Sequence, residues 1–118
     1  ERFKGTDMDF DIIEPKKLVN QELPTSNGTL YTVPANTRVF LKDINIANNN
    51  ASTITITLYC VDSGGSAGVG NTLLGAVDVL GNDVAQWTGT QILEESDTIQ
   101  GFSDTANVCI KISGGLAV

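Results

Sequence analysis

Histidine is absent from this sequence, and that omission removes the commonest general base and a common metal ligand together. Ser63, Ser66, Ser96 and Ser103 stand in turn contexts with no imidazole to activate them, so nucleophilic catalysis has no constellation to build on. Cations are scarce: seven lysines and arginines stand against fourteen acidic residues, for a formal charge of −7. A surface of that sign repels the phosphates of nucleic acid and of anionic bilayers, so neither is an expected partner. Arg2, Lys4, Lys16 and Lys17 crowd the start of the chain, which leaves Arg38, Lys42 and Lys111 for the rest. No basic stripe is expected from three scattered cations. Long apolar runs are missing too; none approaches the ~20 consecutive residues that a membrane-crossing helix requires.

Cysteine occurs twice and tryptophan once. In TITITLYCVD, Ile54, Ile56, Leu58 and Cys60 fall on one parity, and Thr53, Thr55, Thr57 and Tyr59 on the other. Cys60 therefore reads as a small core residue, and the polar set as a solvated outer face. In NVCIKIS the apolar set is Val108, Ile110 and Ile112, which puts Cys109 with Lys111 on the opposite face and argues against a Cys60–Cys109 disulfide.

The 118 residues suffice for one domain with its own core, and their wealth of Thr, Asn, Gly and Val favours strands and turns. Residues 1–28 differ from the remainder: charge-rich, irregular, broken by Pro15 and Pro24, with Phe3, Met8, Phe10, Ile12 and Ile13 as sporadic apolar groups. They read as an extended N-terminal arm that orders where a surface receives it, with LVNQEL inside it as an edge strand. From Thr29 the pattern is nearly all period two. TLYTV, TRVFLKDINIA, STITITLYCVD, NTLLGAVDVL, DVAQWTG, TQILEE, DTIQGFS and NVCIKIS are separated by turn clusters and, after Trp87, by a short break at Gly89. The predicted fold is all-β: an antiparallel, jelly-roll-like sandwich of about eight strands over residues 29–118, nearly free of helix. TRVFLKDINIA carries one irregularity, since Val39 and Leu41 share one parity and Phe40, Ile44 and Ile46 the other. Either a bulge near Lys42 and Asp43 resets the register, or the first half of the strand is covered on both faces, the second by a partner subunit.

Three motifs invite chemistry. GSAGVGNT, residues 65–72, differs from the phosphate-binding pattern GxxxxGK[ST] at Asn71, but it lacks the lysine and precedes a strand-like segment instead of a helix, so it reads as a hairpin connection. DMDFD, residues 7–11, alternates three aspartates, yet the glycine and glutamate of a calcium loop are replaced by Ile12 and Leu18. EESD, residues 94–97, gathers carboxylates in a tight turn where they diverge, which is unsuited to paired acid–base work. No catalytic residue, metal site or cofactor is expected. Trp87 reads as a core or interface anchor; four Phe, two Tyr and that one Trp are too dispersed for a sugar platform.

The succession LYTVPANT, INIANNN, TITITLYCVDSGG, ILEESDTIQGFS and VCIKISGG resembles small β-sandwich accessory proteins of tailed bacteriophage virions over roughly residues 29–115. Asn36 stands where such proteins often have Gly, and the N-terminal segment lies outside the shared pattern. The resemblance implies a structural role on the outer surface of a capsid: a head decoration or cement protein that fastens neighbouring major capsid subunits, acting as a homotrimer. On that reading Val39, Leu41 and Trp87 bury against sister subunits, while Phe3, Phe10, Ile12 and Ile13 lie along the capsid. A tail or fibre component is the alternative within the structural class, and a carbohydrate-binding receptor module the alternative outside it.

Overall fold

The strands of this chain close on one another from opposite ends of the sequence. A computed structural model describes residues 13–117. Eight strands follow in order: β1 (Ile13–Glu22), β2 (Gly28–Thr32), β3 (Arg38–Asn48), β4 (Ile54–Val61), β5 (Thr72–Val79), β6 (Val84–Leu93), β7 (Thr98–Ser103) and β8 (Val108–Ala117). They make two four-stranded antiparallel sheets, ordered β1-β8-β3-β6 in the first and β2-β7-β4-β5 in the second. Helix among the described residues is confined to the single 3-10 turn Val69–Asn71. Only β4 and β5 are successive in the chain and paired in one sheet; every other connection passes from one sheet to the other. The two sheets are thereby laced together along a common core.

Alternation builds that core. Ile44, Ile46, Ile110 and Ile112 from the first sheet, with Ile54, Ile56, Leu58 and Ile99 from the second, are all essentially inaccessible to water. Each such side chain gains roughly 1.5–3 kcal/mol from burial relative to an exposed position. Val39 and Leu41 belong to the same cluster. The parity change in β3 is a bulge: Leu41 pairs with Gly114 and Asp43 with Ser113, leaving Lys42 as the extra residue. The register therefore shifts by one, and odd-numbered Val39 and Leu41 point inward together with even-numbered Ile44 and Ile46. A second bulge lies beside it in β1, between Lys17 and Val19 on the other side of β8. At this level a Cβ on Gly114 would collide with the Phe40 carbonyl oxygen, so only glycine lets β8 approach β3 this closely.

Two boundaries differ from the expected ones. Within the segment 1–28 read as an arm, Ile13–Glu22 pairs with β8 and forms the edge of the first sheet. The edge strand expected at LVNQEL is thus real and begins earlier. DVAQWTG and TQILEE are one strand instead of two. Gly89, expected to break them, lies against the Trp87 ring, where a Cβ would come within 2.9 Å of Cζ2. The total of eight strands is reached with β1 in place of the lost division.

Candidate functional site

The outer face of the first sheet collects residues that the sequence keeps far apart. Because β8 sits between β1 and β3, residues from the beginning, middle and end of the chain stand in rows across the strands. One row runs Pro15, Gly115, Phe40, Ile92. A second runs Lys17, Ser113, Asp43, Thr88, and a third Asn20, Lys111, Asn45, Gln86. Phe40 is half-buried, Ile92 is 55% exposed, and Val84, farther along the same face, is 58% exposed.

A groove of about 650 Å³ crosses this face, lined by Lys16, Lys17, Lys42 and Lys111 together with Asn20 and Asn45. Beside it, Pro15, Phe40, Gly114, Gly115 and the stem of Lys42 form an apolar recess of about 340 Å³. The expectation that no basic stripe forms is therefore wrong. Along the chain the cations are scattered, but pairing of β1 with β8 brings Lys16 and Lys17 alongside Lys111, and the bulge turns Lys42 outward. Lys42 Nζ donates to Thr90 Oγ1 at 2.9 Å, and Lys111 Nζ donates to Asn20 Oδ1 at 3.1 Å. Two acids share this face: Asp43 accepts from Asn45 Nδ2 at 2.8 Å and from Gln86 Nε2 at 3.1 Å, and Glu22, in the row of Val84, accepts from the Asn107 amide at 3.0 Å. The only ion pair among the described residues, Arg38 with Glu94, lies outside the groove and is solvent-exposed, so it adds little stability.

The outer face of the second sheet is different. No lysine or arginine occurs in its four strands. Two of its hydroxyls are engaged locally: Thr55 Oγ1 donates to Asp78 Oδ1 at 2.9 Å, and Thr57 Oγ1 accepts from the Ala76 amide at 3.3 Å, with half-buried Phe102 beside Thr57.

The residues singled out from sequence are placed unevenly. Phe3, Phe10 and Ile12 lie outside the described residues, as does DMDFD. Ile13 opens β1, its backbone opposite Ala117. Val39 and Leu41 are not at a partner surface: both are fully buried in this chain's own core, because the bulge after Leu41 turns them inward. Trp87 is half-buried on the inner rim, opposite Ile44, and packs against the core. Phe40, whose parity sets it apart from Val39 and Leu41, is the aromatic on the outer face of the first sheet.

The remaining motifs are structural. In EESD, Glu94 turns to Arg38, Glu95 accepts from the Asn36 amide at 2.8 Å, and buried Asp97 accepts from the amides of Ser63 at 2.9 Å and Glu94 at 2.8 Å. The carboxylates thus serve three separate loops. In GSAGVGNT, Asn71 accepts from the Gly68 amide at 2.9 Å and donates to the Ser66 carbonyl at 2.8 Å, so the residue in the lysine position closes the loop on itself. Strand β5 follows directly, and no helix N-terminus faces the loop. Cys60 and Cys109 are free thiols. Burial, with a smaller contribution from the Asp97 charge, pushes the Cys60 thiol up to about 11. Burial also raises Tyr31.

No family model matches the chain, and no curated protein matches it. Among solved structures it is similar to a subunit from work described as "Bacillus endospore appendages form a novel family of disulfide-linked pili". The likeness has a TM-score of 0.52 at 12% identity and covers 90% of this chain and 88% of that one. At that identity it establishes a shared small β-rich fold.

Proposed function

We propose that this protein is a structural, non-catalytic subunit of a larger assembly and that it makes its contacts through the outer face of the first sheet. The observation that carries the reading is the apolar row Pro15–Gly115–Phe40–Ile92 beside the lysine groove. An aromatic and an exposed isoleucine on an outer sheet face lose nothing by being covered, and burying them against another surface is favourable in proportion to the area removed from water. The carboxylates of EESD bind loops, and the glycine-rich segment closes on itself, so neither motif offers a reaction centre.

Within this class, decoration of a virion capsid is the assignment that the resemblance of residues 29–115 supports, with the major capsid protein as receiving surface and a homotrimer as working unit. A filament subunit is the second reading, favoured by a likeness to a pilus protein that spans nearly the whole chain. Sugar binding has less support, because Trp87 lies on the inner rim against Ile44 and Gly89.

Sedimentation velocity over a range of concentrations, with co-sedimentation on undecorated phage heads, tests the proposal. Wild-type protein is expected to associate with itself or with heads, and Phe40→Asp is expected to abolish that association while leaving the circular dichroism spectrum unchanged. Wild-type protein that stays monomeric and ignores heads, or association that Phe40→Asp leaves intact, would overturn it.

A further inference from the structure

The lysine groove raises the question of what fills it. Four of the five cations among the described residues line one groove on a chain whose formal charge is −7. Like charges converging in this way repel one another, and that repulsion is relieved by an acidic occupant. The chain itself contains a matching segment. In DMDFDI, residues 7–12, Asp7, Asp9 and Asp11 alternate with Met8, Phe10 and Ile12. An extended strand with this alternation carries three carboxylates along one side and three apolar groups along the other.

We infer that the groove on the first sheet receives residues 7–12 of a second copy of this chain. The apolar side of that segment covers Pro15, Phe40 and the bare backbone of Gly114 and Gly115, and its carboxylates meet Lys16, Lys42 and Lys111. Lengths agree: Asp7 to Asp11 and Lys111 to Gly115 are each four residues, about 13 Å at ~3.3 Å per residue. The donor is a second copy for a geometric reason. Ile13 pairs with Ala117 at the end of the sheet remote from Lys111, so Ile12 directly precedes strand β1. Residues 7–12 of the same chain would have to reverse direction at that junction, with no intervening residue, to lie over Pro15. A segment of one copy seated in the groove of the next is a head-to-tail contact, which propagates along a fibre or closes into a ring.

The inference rests on the assembly reading given above, and a charge-swap experiment on the full chain separates the two. Asp7→Asn/Asp9→Asn/Asp11→Asn is expected to weaken association by about tenfold or more, as is raising the salt concentration. Lys16→Glu/Lys42→Glu/Lys111→Glu alone, and Asp7→Lys/Asp9→Lys/Asp11→Lys alone, are each expected to be folded and monomeric. An equal mixture of these two variants is expected to co-assemble in alternating order by sedimentation velocity, because the reversed groove accepts the reversed segment and the unchanged groove accepts the unchanged segment. Association of the wild type that none of these changes weakens, or a mixture that stays monomeric, would overturn the inference and leave the assembly reading standing. A wild-type protein that binds heads but stays monomeric alone overturns the inference only, and one that associates with neither overturns both.

Discussion

The two sheets of this molecule share a core but not a surface. On the second sheet the outward threonines spend their hydroxyls inside the sheet, Thr55 on Asp78 and Thr57 on the Ala76 amide, and its strands hold no lysine or arginine. On the first sheet the outward residues are four lysines, an aromatic ring and exposed Ile92 and Val84. The second sheet's outer face carries half-buried Phe102 and Tyr59 as well, but no cation, and its threonines are paired locally. Four lysines against two carboxylates that are already hydrogen-bonded, beside uncovered apolar groups, leave unused interaction capacity, and that contrast points to the first sheet as the contact surface.

The two surfaces differ most sharply at two adjacent residues of β3. Leu41 points into the shared core and Phe40 out of the first sheet. Leu41→Ala should cost about 2–5 kcal/mol in urea unfolding, whereas Phe40→Ser should cost no more than about 1 kcal/mol while removing association. Equal losses of stability would mean that Phe40 is a core residue and that the first sheet has no free face. Next in size is Asp97→Ala, which strands the amides of Ser63 and Glu94 at the end of the second sheet. A loss of roughly 1–3 kcal/mol is expected, with association at saturating concentration unchanged. An effect on assembly larger than that on stability would assign the second sheet a contact role.

The smallest effect concerns pH. Cys60 lies on the inner side of the second sheet, with its ionisation raised from 9.0 to about 11. The unfolded chain therefore loses this proton first, so the contribution to stability is complete below pH 9 and declines as pH rises toward 11. Cys60→Ala should flatten that part of the stability profile. Iodoacetamide should alkylate Cys60 slowly in native protein near neutral pH, since the thiolate is the reacting form. Rapid neutral-pH alkylation of Cys60 would show that the inner side of the second sheet is open.

Much of this is legible in residue patterns. Alternation places Ile54, Ile56 and Leu58 inside and Cys109 outside, and the parity break between Leu41 and Ile44 marks the position of the bulge. Local chemistry also suffices for GSAGVGNT, where Asn71 closes the loop on itself, and for the divergence of the EESD carboxylates, but not for their partners Asn36, Arg38 and Ser63, which are distant in sequence. What stays hidden depends on pairing between distant segments. Nothing in IEPKKLVNQE announces that β8 is its neighbour, so the edge strand reads mainly as an arm and its lysines look isolated. Val39 and Leu41 read as partner contacts because period two does not say which face of a strand is the inner one. Gly89 reads as a break because its role is to make room for the Trp87 ring, a same-strand contact that composition does not reveal.

The most direct test of the central contrast is mass-spectrometric amine labelling of assembled against dispersed protein, with hydrogen exchange followed across both sheets. Lys16, Lys17, Lys42 and Lys111 should lose reactivity on assembly, while exchange in β4 and β5 stays as it was. Lysines that label equally in both states, with new protection appearing over Thr55 and Thr57, would place the contact on the second sheet and contradict the account.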